Sequence, residues 1–112
     1  MKKITEISAD SRQKLTLVGE NNEQIKFTLE YKPTQQSWYF DIELDSFNVY
    51  GLKLVNSPNA LRNYTNLIPF GISCIVSDGS DPYFVDDFTS GRCEIFLLTE
   101  EEVGIIEEEV YS

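Results

Sequence analysis

Residues 25–45 read IKFTLEYKPTQQSWYFDIELD. Ile25, Phe27, Leu29 and Tyr31 alternate with Lys26, Thr28 and Glu30. After Lys32-Pro33-Thr34-Gln35-Gln36 the alternation resumes, with Trp38, Phe40, Ile42 and Leu44 set against Tyr39, Asp41, Glu43 and Asp45. Successive side chains of a strand point to opposite faces, so a period of two marks a strand with one buried face. Two such runs joined by a short polar turn containing Pro read as an antiparallel hairpin. The single Trp of the chain lies on it.

The same short-range pattern continues on both sides. Ile4 to Ile7 reads as a short edge strand. Leu15, Leu17 and Val18 read as a second, ended by Gly19 and the polar turn Glu20-Asn21-Asn22-Glu23. Beyond the hairpin, Phe47 and Val49 carry the pattern to Tyr50, Gly51 breaks it, and Leu52 and Leu54 restart it. Ser57-Pro58 opens a short helical turn carrying Leu61 and Tyr64, because Pro suits a first helical position. Ile68, Phe70, Ile72, Cys74 and Val76 alternate strictly, and Ile75 adds an apolar residue on the other face, as a central strand would. Ser77 to Asp87 is a loop rich in Asp, Gly, Ser and Pro. Arg92 to Leu98 is the last clear strand, with Cys93, Ile95 and Leu97 opposed by Phe96 and Leu98, so burial on both faces is expected. Short strands at close turn spacing predict an all-β domain of about six to eight strands, a small antiparallel β-sandwich or barrel with short helical turns. The β domain is expected over residues 1–103 and an acidic C-terminal tail over 104–112.

A chain of 112 residues and 12.9 kDa is sized for one domain. It hides about two-thirds of its extended surface on folding, enough for a core without metal or disulfide. With 41% hydrophobic and 25% charged residues it is globular in composition. The net charge of −10 and pI near 4.3 argue against nucleic-acid phosphate and anionic membrane surfaces as main partners. They suit a basic protein partner or an assembly with charged walls. No His is present to serve as base, metal ligand or pH switch. Cys74 and Cys93 lie in apolar runs and are expected as buried free thiols; only adjacent strands would let them pair. Met1-Lys2-Lys3-Ile4-Thr5-Glu6 turns polar at once, without a signal-peptide core. No apolar run approaches the ~20 residues of a membrane span. A cytoplasm-like environment and no membrane insertion are expected.

Chemistry has few footholds. The loop carboxylates Asp78, Asp81, Asp86 and Asp87 are grouped as Ca²⁺ ligands can be, but lack the ligand ladder of an EF-hand. Asp-Gly and Asp-Pro are favoured as turn residues, so a solvated turn without metal is expected. No cofactor motif is present, neither cysteine has a His partner, and the glycines form no phosphate-cradling loop. A non-enzymatic protein is the reading. Seven Phe, six Tyr and one Trp suit a β core of large side chains. Outward rings such as Tyr39 and Tyr50 are candidates for a subunit interface. In the tail, Thr99 and Glu102 have capping-box spacing, but Gly104 and six Glu residues work against a helix. The tail is therefore expected as a frayed arm or as a segment that orders on a partner. Ile105, Ile106, Val110 and Tyr111 are too apolar for a purely solvating arm and are further interface candidates.

In order, several segments resemble the small baseplate plug proteins of contractile-tailed bacteriophages. They are Trp38-Tyr39-Phe40-Asp41-Ile42 on the hairpin, Gly51-Leu52-Lys53-Leu54-Val55, and Leu61-Arg62-Asn63-Tyr64. The loop follows with Asp81-Pro82-Tyr83 and Asp86-Asp87-Phe88, then the strand and acidic turn from Glu94 to Glu102. The likeness spans about residues 4 to 103. Its Gly-rich strand is represented only by Gly71, and the acidic extension after Val103 has no counterpart in it. The resemblance implies a structural virion protein in the central hub of the baseplate, near the distal end of the tail tube. Its implied partners are hub and tail tube proteins, with self-association in a ring. The host cytoplasm is the implied site of assembly, and no active site is carried over. Two rival classes are an acidic module that mimics nucleic acid and blocks a basic protein, and a Ca²⁺-dependent sugar-binding sandwich.

Overall fold

The computed structural model describes residues 2–20, 22–45, 47–64 and 67–110. The hairpin forms as read: β3 (Gln24–Lys32) pairs antiparallel with β4 (Ser37–Glu43), setting Tyr31 opposite Trp38, Leu29 opposite Phe40 and Phe27 opposite Ile42. Its turn is closed by the Gln36 N–H donating to the Pro33 carbonyl at 3.2 Å. On one flank lies β2 (Arg12–Val18) and on the other β5 (Asn48–Lys53), giving a four-stranded sheet in the order β2-β3-β4-β5. A second sheet holds β1 (Lys2–Lys3), β7 (Cys93–Leu98) and β6 (Gly71–Val76), with β7 in the middle. A 3₁₀ turn at Arg62–Tyr64 and the helix α1 (Glu100–Val110) complete the chain. The architecture is an all-β small sandwich.

The core lies between the sheets. Ile25, Phe27, Leu29, Trp38, Phe40 and Ile42 face Ile72, Cys74, Val76, Cys93 and Ile95, all buried, with Leu54 and Leu61 closing the sides. Phe27 and Phe40 meet with ring centroids 5.8 Å apart. Burying each such side chain stabilises by about 1.5–3 kcal/mol. Both cysteines are buried and free.

Several local expectations are corrected. The N-terminal edge strand is Lys2–Lys3 rather than 4–7, although the Ile4 N–H still donates to Ile95 O at 2.8 Å. Gly51 does not end a strand. It lies within β5 at φ +71°, where Tyr50 and Gly51 together oppose Asp41 in a bulge and the Gly51 N–H donates to Asp41 Oδ1 at 2.8 Å. The strand expected over 68–76 begins at Gly71, and Ile68 and Phe70 are buried outside it. It is an edge strand, not a central one: Ile75 is 45% exposed. Part of its edge is closed by the chain itself, through the Ser57–Cys74 bridge and the Ala60 N–H donating to Ile72 O.

The acidic end is a helix, and Gly104 does not interrupt it; α1 crosses the 103/104 boundary set from sequence. The capping box forms in both directions. The Thr99 N–H donates to Glu102 Oε1 at 2.9 Å, and the Glu102 N–H to Thr99 Oγ1 at 3.2 Å. Val103 is buried over Gly71, and Arg62 holds Glu107 at 3.0 Å.

Candidate interaction site

Residues 77–92 link β6 to β7, and Arg92 organises them. Its backbone extends the ladder, with the Ser77 N–H donating to Arg92 O at 2.9 Å. Its guanidinium grips Asp87 in a fork: Nε donates to Oδ1 and Nη2 to Oδ2, both at 2.9 Å. Nη1 reaches Asp78 Oδ1 at 3.0 Å and Ser80 Oγ at 2.9 Å, and Nη2 also reaches Asp81 O at 3.0 Å. The Tyr83 ring stacks 4.2 Å from the guanidinium carbon.

Asp87 is 1% exposed and does not behave as a solvated turn residue, which corrects the expectation for it. Its Oδ2 also accepts the N–H groups of Tyr83 at 2.7 Å and Phe84 at 2.8 Å. Burial pushes this carboxyl up, but the Arg92 hydrogen bond and the two N–H groups outweigh it and hold the group below the usual carboxylate range. The hydrogen bond to Asp87 raises Arg92 further above its ordinary value. At Asp78 the Ser80 hydroxyl and N–H lower the carboxyl, with Arg92 adding to the effect. The cation these aspartates hold is a guanidinium.

The hairpin fixes the same two residues from the other side. Tyr31 donates its hydroxyl to Tyr83 O at 2.7 Å, and the Trp38 indole N–H donates to Phe84 O at 2.9 Å. The Trp38 ring packs edge-on to Phe88 at 5.1 Å. Trp38 thus fills the core with its ring and holds the loop with its polar edge. Asn56 secures the base: its N–H donates to Asp81 Oδ1 and its side-chain amide to Gly79 O. Amide N–H and carbonyl of both Tyr83 and Phe84 are therefore engaged, and their side chains are displayed. Tyr83, Phe84 and Val85 stand 37%, 51% and 37% exposed.

The interface candidates read from sequence occupy other places. Tyr39 is half-buried on β4, with Lys32 Nζ 4.7 Å above its ring. Tyr50 is exposed at the β5 bulge. Ile105 and Val110 are exposed on α1, and Ile106 lines a groove beside Pro58 and Ile75. Tyr111 lies outside the described residues. These positions do not form one patch, since Tyr39 and Tyr50 belong to the four-stranded sheet whereas α1 contacts β7 of the other. The loop tip and Arg92 were missed. The available signal was one cation among four aspartates beside three successive apolar residues.

Among the described residues no helix is long and apolar enough to cross a membrane. A search of curated proteins gives no match. A family model described as cyanophage baseplate Pam3 plug gp18 matches residues 1–100, taking in both sheets and the clamped loop. The chain belongs to this family of cyanophage baseplate plug proteins.

Proposed function

We propose that the protein is a plug subunit of the central hub, seated at the distal end of the tail tube and helping to close the channel until contraction. The observation that carries this is the family match over residues 1–100, which gives the chain a structural role in the tail baseplate of the virion. Its partners there are other baseplate proteins; the hub and tube proteins are the ones this position would offer. A rigid two-sheet body suits such a component. The outer strands β2 and β5 offer free sheet edges, and antiparallel edge-to-edge pairing between copies would extend the sheet around a ring. An acidic wall also discourages the passing DNA backbone from sticking. The subunit would be made in the host cytoplasm and incorporated during tail assembly. Purified tails probed with a gold-labelled antibody to the chain test the reading. Label confined to the distal end of the tail supports it, and absence of the chain from purified tails overturns it.

A further inference from the structure

We infer that Tyr83, Phe84 and Val85 form a pre-set anchor by which this protein docks into an apolar pocket, flanked by lysine or arginine, on a different baseplate protein. The inference rests on the baseplate reading and adds the surface and the chemistry of the partner. The other exposed large apolar residues, such as Tyr50, Leu67 and Ile75, stand singly in the chain, whereas these three are consecutive. Exposed aromatic side chains on a surface are costly to leave in water and are the side chains that dominate interface energies. The backbone beneath them is already held. Asp87 takes the N–H groups of Tyr83 and Phe84, while Tyr31 and Trp38 take up their carbonyls. Little ordering entropy is left to lose on binding. For the same reason these two residues cannot add a strand to a partner, so recognition runs through side chains.

Charge decides the partner. The loop carries Asp78, Asp81, Asp86 and Asp87 against the single cation Arg92. Asp86, next to the tip, is exposed, and among the described residues its carboxylate makes no hydrogen bond or ion pair. An apolar anchor with an acidic rim fits a pocket with a basic one. A second copy suits that role poorly. Its three arginines each hold a carboxylate of their own chain, Arg12 with Glu30, Arg62 with Glu107 and Arg92 with Asp87, and its six lysines stand against 19 acidic residues. The chain as a whole carries −10.

The test uses tails from a phage lacking this gene and purified full-length protein added back. Wild-type protein should bind the tails, and less so at high salt. Phe84→Ala should melt within a few degrees of wild type yet bind about tenfold or more weakly, as loss of an aromatic anchor does. Val85→Asp is the second variant should Phe84→Ala melt early. Asp86→Lys should weaken binding and reduce its salt dependence. A photo-reactive phenylalanine analogue at position 84 should cross-link, in assembled tails, to another baseplate protein near lysine or arginine. Undiminished binding by a folded Phe84→Ala or Val85→Asp protein overturns the anchor. A cross-link to a second copy of this chain overturns the partner. Failure of wild-type protein to bind overturns the baseplate reading, and the docking proposal with it.

Discussion

Arg92 connects three carboxylate-bearing or carbonyl-bearing turns of one loop, and Asp87 is the buried end of that connection. Removing the cation leaves a carboxylate out of water and unpaired, which costs about 3–5 kcal/mol. Arg92→Ala should therefore lower stability by about that amount in urea denaturation. Arg92→Lys should recover only part, because an ammonium cannot grip both oxygens in a fork. A loss below about 1 kcal/mol for Arg92→Ala would show that the loop is held without it. The pH response follows from the same contact. The folded Asp87 carboxyl lies below its unfolded value, so its contribution is present above about pH 4 and is lost as pH falls through the folded value. The thiols act at the other end. Burial is the largest cause that pushes Cys74 and Cys93 up to about 12; the charges of Cys93 and nearby aspartates add to it at Cys74, and those of Asp87 and Asp78 at Cys93. The folded state keeps these protons where the unfolded chain sheds them, so stability should decline as pH rises past about 8.5. A disulfide-exchange reagent at pH 8 should leave both thiols unmodified in native protein and titrate both in denaturant. Rapid native labelling would contradict their burial. The burial of both free thiols was legible in the sequence from the apolar runs around them; the clamp was not, because the Asp-rich loop reads as turn propensity and only the fold brings Arg92 back across Asp78 and Asp87.

At the scale of elements, strands with one buried face were the readable ones. Phe27, Phe40 and Ile42 announce their face because the residues between them are polar and largely outward. The strand β6 misled because Ile75 mimics a second buried face, while the true cover of that edge, Ser57 to Ala60, carries no pattern at all. The helix α1 misled for a different reason. Gly104 costs about 1 kcal/mol in a helix, but tertiary contacts offset it: the capping box, the Arg62–Glu107 pair and Val103 on Gly71. A Cβ at Gly71 would lie 2.7 Å from Asn59 Oδ1 and 2.8 Å from Val103 Cγ2. Gly71→Ala should then cost about 1–3 kcal/mol and loosen the helix, seen as faster amide exchange in α1. Unchanged exchange would mean that the helix is held elsewhere. Truncation after Val103 keeps that contact and removes mainly an exposed ion pair, worth about 0–1 kcal/mol. The truncated protein should fold with a small loss, and unfolding on truncation would make the rest of α1 part of the core.

The whole molecule carries 19 acidic against 9 basic residues. Self-repulsion on that scale is screened by salt, so the melting temperature should rise with ionic strength. A fall would show that local pairs such as Arg92–Asp87 outweigh the net charge. The charge alone is common to many acidic proteins; the order of segments from Trp38 to Glu102 and the family match make this one a baseplate protein. An electron cryo-microscopy map of intact, uncontracted tails would show where the subunit sits and what its loop tip touches. A plug subunit at the hub should give density for the two-sheet body closing the distal opening of the tail tube, with the Tyr83–Val85 tip buried against a neighbouring baseplate protein. An uncontracted tail whose distal opening is closed by other proteins, with this chain found nowhere in the map, would contradict that placement.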